Sequence, residues 1–325
     1  MKKSCALFLA LAVVLVGCGP RNGENEAEKL RIAVIPKSTN NVFWKNVHAG
    51  AVKAATELDV SIDWQGPAKE TDRQQQVSTV QNFISRKMDA IVLAPSDSRS
   101  MVRVVRDAGK AGIPVVIFDS GLDSNDYISF VATDNYRGGQ LCAEKLAEVI
   151  DGNKVVVLRH SEGSASTMKR EKGFLDRIQE LMPDIELVST NQYGGASVEK
   201  GLQVAQNLLN RCSEIDGIFC PSEPTAQAML RALQISGKSK QIKFIGFDAN
   251  ADLIDGLEQG EIHGLALQDP FNMGYLAVKT AVDHLKGQSV EERIDTGVNM
   301  ITPDNMNQPR MQELLKPPVK EWLDE

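Results

Sequence analysis

From Leu30 onward, the chain alternates short runs rich in β-branched residues with longer amphipathic segments. The short runs are apolar almost throughout and are bounded by Pro, Gly, Asp or Ser, which is typical of strands buried on both faces of a sheet. In the first half, strands are predicted at residues 30–36, 60–64, 90–94 and 115–119, with helices at 41–58, 72–86 and 98–111. This order predicts an α/β fold with helices on both faces of a parallel, doubly wound sheet.

The alternation begins again after residues 129–133. Further strands are predicted at residues 154–159, 186–190, 217–220, 242–247 and 264–268, with helices at 138–150, 166–181, 197–209, 225–234 and 272–285. The repeat predicts two similar Rossmann-like lobes, residues 30–133 with 269–297 and residues 134–268 with 298–325. Because no long Pro- or Ser-rich linker separates them, we expect a hinge of several strands, which permits closure and resists free rotation.

The N-terminus has the layout of an export signal. Two lysines precede an apolar run at residues 6–16, which is too short to cross a bilayer. Leu15-Val16-Gly17-Cys18 resembles the bacterial lipobox, which predicts a signal at residues 1–17, lipidation of Cys18 and a polar tether over residues 18–29. The alternative is a plain secretory signal in which Cys18 has no role. We expect an exported protein, in the periplasm or on the outer face of a bacterial membrane, anchored by lipid on Cys18.

Charge and cysteine content narrow the classes of partner. The formal charge is −7, and removing residues 1–17, which hold two lysines and no carboxylate, makes it −9. Such acidity argues against nucleic acid as a partner, since binding to phosphates rewards a basic surface. The sequence has no Cys-x-x-Cys pair and no histidine cluster, so we expect neither a metal site nor a cofactor. The spacing of Cys212 and Cys220 leaves open a disulfide or two free thiols.

Polar and aromatic side chains gather at the predicted carboxyl ends of the strands, which is where open parallel sheets bind ligands. They are Lys37, Asn41, Phe43 and Trp44 after the first strand, Asp119 and Ser120 after the fourth, Ser164 after the first strand of the second half, Asp248 and Gln268. Carboxylates accept from neighbouring hydroxyls, amides both donate and accept, and a flat aromatic ring stacks on the apolar face of a sugar. The set predicts a small carbohydrate-like ligand held between the lobes.

Each of these residues also has an alternative role. Asn41 is a candidate cap for the helix that follows, Phe43 and Trp44 are candidates for covering the sheet, and the two aspartates are typical turn residues. Arg170 is expected on the surface, solvated or paired. The gathering of the set at the strand ends of both halves favours ligand binding over these separate roles.

The sequence shows no catalytic pattern. The four histidines are scattered, without a carboxylate or nucleophile at a suggestive spacing, at His48, His160, His263 and His284. No Gly-x-x-x-x-Gly-Lys loop or Gly-x-Ser-x-Gly elbow is present, and Gly138-Gly139 is too weak a signal for phosphate binding. Asp119 and Asp248 have the chemistry of an acid/base pair, but one carboxylate on each lobe equally suits a ligand clamp. We expect no catalytic residue and no enzymatic activity.

The sequence resembles the type I periplasmic binding proteins, in the branch for ribose, rhamnose and furanose autoinducers. The resemblance covers residues 30–302, and the motifs that carry it are Thr-Asn-Asn-Val-Phe-Trp (39–44), Gly-Ile-Pro-Val (112–115), Ala-Thr-Asp-Asn (132–135), Leu-Arg-Ala-Leu (230–233) and Ile-Gly-Phe-Asp (245–248). It implies a receptor that closes two lobes on a solute and docks on the permease of an ABC importer. It also implies pocket positions at Asn41, Phe43, Trp44, Asp119, Asp248 and Gln268. We expect the receptor to be a monomer.

Several positions depart from the ribose-binding pattern. Ser120 and, by our alignment, Met168 stand at two arginine positions, while Ser222 and Ala94 stand at two asparagine positions. These departures predict a ligand other than ribose, with Ser222 among its contacts. Met168 and Ala94 predict a less polar patch that suits a deoxy or methylated sugar or a modified aglycone. Other positions resemble the rhamnose and furanose-autoinducer side, namely Pro36-Lys37, Asp119-Ser120 and Pro221.

Two roles for such a receptor stay open. One is delivery of the solute to an importer, and the other is a ligand sensor that presents its closed form to a membrane kinase or chemoreceptor. A transcription regulator of the related repressor fold would carry an N-terminal helix-turn-helix. Here the corresponding region is the predicted signal and tether, so the regulator hypothesis is rejected.

Overall fold

The computed structural model describes residues 29–212 and 214–323. The predicted signal at residues 1–17, the lipidation site Cys18 and most of the predicted tether lie outside the described residues. Within the described ranges, no helix combines the length and the apolar character needed to cross a membrane.

The helices and strands follow one another in three stretches of chain. The first contains β1 (Arg31–Ile35), α1 (Val42–Leu58), β2 (Ser61–Trp64), α2 (Arg73–Ser85), β3 (Ala90–Leu93), α3 (Val102–Lys110), β4 (Val115–Phe118) and β5 (Ser129–Ala132). The second contains α4 (Asn135–Val149), β6 (Lys154–Arg159), α5 (Ala165–Leu181), β7 (Glu186–Tyr193), α6 (Val198–Arg211), β8 (Gly217–Phe219), α7 (Glu223–Ile235), β9 (Lys243–Phe247), α8 (Ala251–Glu258) and β10 (Gly264–Leu267). The third contains α9 (Pro270–Leu285), β11 (Arg293–Asp295), β12 (Asn299–Ile301), α10 (Pro309–Leu315) and a 3-10 turn (Val319–Glu321).

The strands form two six-stranded sheets with the same pattern of neighbours. Their spatial orders are β11-β5-β4-β3-β1-β2 and β12-β10-β9-β8-β6-β7. Every pairing is parallel except that of β10 with β12, which is antiparallel. The α/β fold with two doubly wound lobes, predicted from the alternation of the sequence, is confirmed.

The chain passes between the lobes three times. It crosses after β5, after β10 and between β11 and β12, because β11 belongs to the first sheet and β12 to the second. Thr133 in the first crossing donates a hydrogen bond to the carbonyl of Gly297 in the third, at 3.2 Å. At the C-terminus, α10 packs into the core of the second lobe, whereas the turn at Val319–Glu321 contacts α1 of the first lobe.

Each sheet is buried on both faces, as the apolar strands of the sequence require. In β1, Ile32 and Val34 pack on the side of α1 and α9, while Ala33 and Ile35 pack on the side of α2 and α3. This alternation follows from the two-residue period of a strand. The residues that follow β1, among them Lys37 and Asn41, line the space between the lobes.

Glycines let two pairs of helices approach closely, one pair in each lobe. A Cβ on Gly274 of α9 would lie 2.0 Å from the carbonyl oxygen of Val47 in α1. In the second lobe, a Cβ on Gly139 of α4 would lie 2.0 Å from the carbonyl oxygen of Arg170 in α5. The second half of the Gly138-Gly139 motif therefore serves helix packing.

Helix α3 begins four residues later than the sequence predicts. The Asp97 carboxylate accepts hydrogen bonds from the backbone N–H groups of Arg99 and Ser100, at 3.1 and 2.8 Å. These bonds hold the segment in a turn that competes with the helix. Helices α8 and α10 and strands β11 and β12 were not predicted, and residues 129–133 were not assigned to a strand although they contain β5. The two helices span about two turns, and β11 and β12 are not buried throughout, so they lack the apolar runs that marked the other strands.

The three described cysteines are free thiols, which decides between the two alternatives for Cys212 and Cys220. Cys142 and Cys220 are buried, and burial raises the pKa of both thiols. They act as small core residues.

Candidate ligand-binding site

A cavity between the two lobes lies at the carboxyl ends of β1, β4, β6, β8, β9 and β10. Its lining consists of Lys37, Asn41, Phe43, Trp44, Glu70, Asp119, His160, Ser164, Ser166, Thr167, Arg170, Ser222, Glu223, Pro224, Asp248 and Gln268. Nine of the ten residues predicted as ligand contacts are among them. The tenth, Ser120, is fully buried beside the cavity, where its hydroxyl accepts a hydrogen bond from the Ser166 N–H at 3.0 Å.

The two aspartates occupy equivalent places in the two lobes. Asp119 directly follows β4 and Asp248 directly follows β9, and these strands hold the same position in the two sheet orders. Both residues have a positive φ, 59° and 65°, which is unusual for a residue with a side chain. Such backbone strain concentrates at functional sites. The turn role and the site role considered as alternatives for these aspartates therefore coexist.

Lys37 joins the two lobes inside the cavity. Its ammonium lies 2.7 Å from Oδ2 of Asp119, and both side chains are 4% exposed. The same ammonium donates to the hydroxyls of Ser166 and Ser164, at 3.1 and 3.5 Å. Lys37 and Asp119 belong to the first lobe and the two serines to the second, so the lysine bonds both sides of the cleft.

Asp248 is held by Arg170 and Gln268. The guanidinium of Arg170 lies 3.5 Å from Oδ2 of Asp248 and 3.9 Å from the centre of the Phe247 ring. The Gln268 amide donates to Oδ1 of Asp248 at 2.8 Å. Burial raises the pKa of Asp248, and the charge of Arg170 opposes this. The guanidinium also donates from Nε to Asn135 at 2.7 Å, which fixes its plane.

The surface position expected for Arg170 is wrong, and so is the less polar patch expected from Met168 and Ala94. Arg170 is buried, whereas the Met168 side chain is 48% exposed and Ala94 does not line the cavity. The reason is helical phase. Residues 166, 167 and 170 of α5 share one face, and residue 168 lies about 200° around the helix from residue 170. The cavity therefore has an arginine from α5, two residues after the position that our alignment assigned.

Glu70 and His160 form a second link across the cleft. His160 Nε2 lies 3.2 Å from Glu70 Oε2, and the Trp44 indole donates to Glu70 Oε1 at 3.0 Å. Burial raises the pKa of Glu70, but the hydrogen bond and charge of His160, the charge of Lys37 and the Trp44 bond outweigh it and lower the pKa to about 2. His160 Nδ1 lies 3.0 Å from the Ser222 hydroxyl, which fixes the ring.

Sequence reasoning missed Glu70 and Glu223 altogether and set His160 aside. Glu70 lies in an irregular segment between β2 and α2, ninety residues from His160, so no local spacing reveals the pair. A signal did exist for His160, because it directly follows β6 as Asp119 follows β4.

Glu223 opens α7 and faces the cavity from the second lobe. Its side chain is buried, and Oε1 accepts from the Asn250 amide at 2.8 Å. Burial raises the pKa of Glu223 to about 7, and the negative charges of Asp248 and Glu70 add to this shift. Three buried acceptors of the cavity have no hydrogen-bond partner among the described residues, namely Asp119 Oδ2, Glu223 Oε2 and Gln268 Oε1. Of these, Asp119 Oδ2 still faces the Lys37 ammonium as an ion pair at 2.7 Å.

The aromatic pair has both of the roles considered for it. Trp44 is buried and packs edge-on against Phe118, 6.1 Å between ring centres, so it belongs to the core of the first lobe. Phe43 is half-buried and lies edge-on to Trp44, at 4.9 Å, on the wall of the cavity. Asn41 likewise caps α1 through the Trp44 N–H at 3.0 Å while lining the cavity.

Comparison with known proteins places this architecture in a family. Residues 32–289 match the model of the periplasmic binding protein domain. The ribose import binding protein of Bacillus subtilis is 29% identical over 315 residues, which are 93% of this chain and 99% of that protein. The D-ribose/D-allose-binding protein of Pseudomonas aeruginosa is 29% identical over 320 residues, with the same 93% and 99% covered.

Solved structures agree with this placement. A carbohydrate transporter solute binding protein from Agrobacterium radiobacter, in complex with D-arabinose, has a TM-score of 0.86 and 33% identity, covering 89% of this chain and all of that one. An ABC transporter solute binding protein from Agrobacterium vitis, with bound D-fucose, has a TM-score of 0.84 and 36% identity, covering 88% of this chain and 100% of that one. The chain therefore belongs to the periplasmic binding protein family, as an extracytoplasmic, non-enzymatic solute-binding protein of ABC importers related to the ribose-binding proteins.

Proposed function

We propose that this protein captures a small sugar or sugar-like polyol between its lobes and delivers it to the permease of an ABC importer. The observation that carries the proposal is the placement of Asp119 and Asp248, one strained aspartate per lobe, on a single buried cavity. Carboxylates in such a setting accept hydrogen bonds from the adjacent hydroxyls of a polyol. The relatives named for ribose and allose, and those solved with arabinose and fucose, support the same class of ligand.

The proposed ligand contacts are nine of the predicted residues with three additions. The nine are Lys37, Asn41, Phe43, Trp44, Asp119, Ser164, Ser222, Asp248 and Gln268, whereas Ser120 supports the site by bonding Ser166. The additions are Glu70, Arg170 and Glu223, all of which line the cavity. Because contacts come from both lobes, ligand binding favours the closed form over the open one. The lobes on either side of the cleft are proposed as residues 30–133 with 269–297 and residues 134–268 with 298–325.

We further propose that Cys18 carries a lipid that anchors the receptor to a bacterial membrane, with residues 19–29 as a tether. The support is the sequence Leu15-Val16-Gly17-Cys18 at the end of an apolar run. In cells, Cys18→Ala should move the protein from the membrane fraction to the soluble extracytoplasmic fraction. Membrane attachment that survives this substitution would refute the anchor.

A thermal-shift screen of the purified protein tests the sugar assignment. The panel contains pentoses, hexoses, deoxysugars and inositols, with amino acids and nucleosides as contrasts. A ligand that binds only the native state at 100 times its Kd adds about 2.7 kcal/mol of stability, which is a readily measured shift in Tm. Shifts confined to the amino acids or nucleosides would overturn the proposal.

A further inference from the structure

Four carboxylates face the cavity, and three of them each have a basic side chain within 4 Å. Asp119 faces Lys37 at 2.7 Å, Asp248 faces Arg170 at 3.5 Å and Glu70 faces His160 at 3.2 Å. Lys37 and Arg170 offset the charges of Asp119 and Asp248, and the imidazole of His160 lies within hydrogen-bonding distance of Glu70.

The fourth carboxylate, Glu223, has no cation within 4 Å among the described residues. The charged groups that act on its pKa are Asp248 and Glu70, and their negative charges raise it. Oε1 accepts from the Asn250 amide, and the backbone N–H of Phe43 also faces this carboxylate and lowers its pKa. Oε2 is buried and has no donor within hydrogen-bonding geometry among the described residues. Only 6% of Glu223 is exposed, so bulk water does not solvate this oxygen freely. A buried, unpaired carboxylate is costly unless it is protonated or meets a donor, preferably a cationic one.

The contact with Asn250 does not explain why this position holds an acid. A glutamine of the same length would accept the Asn250 hydrogen bond equally well through its amide oxygen. The second carboxylate oxygen differs from the glutamine –NH₂ only in accepting hydrogen bonds and carrying negative charge. Glu223 lines the cavity, where a bound molecule can supply the cationic donor that the described residues do not.

We propose that the ligand is an amino sugar, a polyhydroxylated ring with a protonated amine that binds Glu223 Oε2. This inference rests on the proposed sugar-binding function and deepens it. The hydroxyls of the ring bind Asp119, Asp248 and Gln268, and the amine supplies the one cation that the cavity lacks. Sugar acids would bring a further carboxylate into a cavity that already holds the unpaired carboxylate of Glu223. The repulsion between these negative charges excludes them as ligands.

Isothermal titration with matched pairs of sugars tests this inference. The probes are hexoses and pentoses with one amino group, each measured against the parent sugar that has a hydroxyl at that carbon. At neutral pH we expect at least one amino sugar to bind the wild-type protein tenfold or more tightly than its parent. In Glu223→Gln, the amino sugar should lose tenfold or more in affinity, while the parent changes less than threefold.

Glu258→Gln is the matched control, because Glu258 is an exposed glutamate at the end of α8, away from the cavity. It should leave both affinities unchanged. If Glu223→Gln does not fold, the ratio of the affinities of the wild-type protein for the amino sugar and for its parent sugar still tests the inference. Neutral sugars that bind, with no amino sugar exceeding its parent, overturn the amino-sugar inference and leave the proposed function standing. A panel in which no sugar of either kind binds overturns both.

Discussion

The pKa of Glu223 makes the stability of the protein depend on pH near neutrality. Its pKa is raised to about 7 in the folded protein, whereas an ordinary glutamate titrates near 4.3. The folded state therefore binds this proton more tightly than the unfolded state. By linkage, the contribution of Glu223 is fully present below about pH 4.5 and is lost as pH rises through 7. Glu70, with its lowered pKa of about 2, acts in the opposite sense and only under more acidic conditions.

We predict that Glu223→Gln becomes stabilising relative to wild type as pH rises. At pH 5 the wild-type side chain is protonated and neutral, so the two proteins should differ little. At pH 8 the buried charge costs the wild type on the order of 1–3 kcal/mol, which the glutamine avoids. Urea denaturation of both proteins at the two pH values measures this difference. Glu258→Gln should show no change with pH, and a pH-independent effect of Glu223→Gln would contradict the assigned pKa.

Asp119 has a structural role through Lys37 and a proposed role in binding, and substitution separates the two. Asp119→Asn leaves the Lys37 ammonium buried without its counter-charge, which costs about 3–5 kcal/mol. Lys37→Met combined with Asp119→Asn should restore most of that stability, because neither member of this buried pair is then charged. Both proteins should bind sugar at least tenfold more weakly than wild type, as measured by titration. If the double variant regained sugar affinity together with stability, Asp119 would have only the structural role of pairing with Lys37.

At the scale of helices and strands, close contact between α4 and α5 positions the arginine of the site. Gly139 allows the backbone of α5 to approach, and Arg170 projects from that contact over Phe247 toward Asp248. The Phe247 ring also packs closely against Gly138, where an added Cβ would lie 2.9 Å from the ring. The packing of two helices thus sets the geometry of a charged pair in the cavity.

Gly139→Ala should weaken sugar binding and destabilise the protein together. The added methyl would lie 2.0 Å from a backbone oxygen, so α5 must move, at a cost of about 1–3 kcal/mol or more. The control is Gly109→Ala in α3, where an added Cβ has no atom within 4 Å. This control should be neutral or stabilise by up to about 1 kcal/mol. Thermal denaturation measures the change in stability and titration measures the change in sugar affinity. Unchanged sugar affinity in Gly139→Ala would show that the contact between α4 and α5 does not position the site.

Some residues of the site could be predicted from the sequence, and others could not. Alternating apolar runs fix the strands, and parallel strands place Asp119 and Asp248 at the same edge of their sheets, so these residues could be found from sequence. Arg170 could not, because its assignment depends on helical phase within α5, where a shift of two residues turns a side chain from solvent to cavity. Glu70 could not, because its partner His160 comes from the other lobe and no local pattern reports a tertiary contact.

At the scale of the whole molecule, the described contacts hold the lobes together over the cavity. Besides Lys37 and Glu70, the Arg73 guanidinium donates to the carbonyl of Glu162 at 2.7 Å, and the Ser98 N–H donates to the carbonyl of Gly163 at 3.0 Å. These bonds join loops of opposite lobes at the rim. A receptor that releases its ligand must break them, so their strength sets part of the balance between closed and open forms.

The substitution Gly163→Ala tests the balance between the closed and open forms by adding one methyl group at the rim. A Cβ there would lie 2.1 Å from Oδ2 of Asp97, which belongs to the other lobe and is held by the N–H groups of Arg99 and Ser100. Gly163→Ala therefore clashes only when the lobes are together. Its positive φ of 87° adds backbone strain of about 1–2 kcal/mol, which the open form also bears.

Gly237→Ala separates the clash from the strain, because Gly237 also has a positive φ, 68°, but an added Cβ there meets no atom within 4 Å. Both variants should lose similar stability from strain. Only Gly163→Ala should bind sugar tenfold or more weakly and remain expanded in small-angle scattering at a sugar concentration that saturates Gly237→Ala. Equal affinity and equal compactness in the two variants would mean that the ligand-bound form does not bring Gly163 against Asp97, and the contacts described at the rim would then have no part in retaining the ligand.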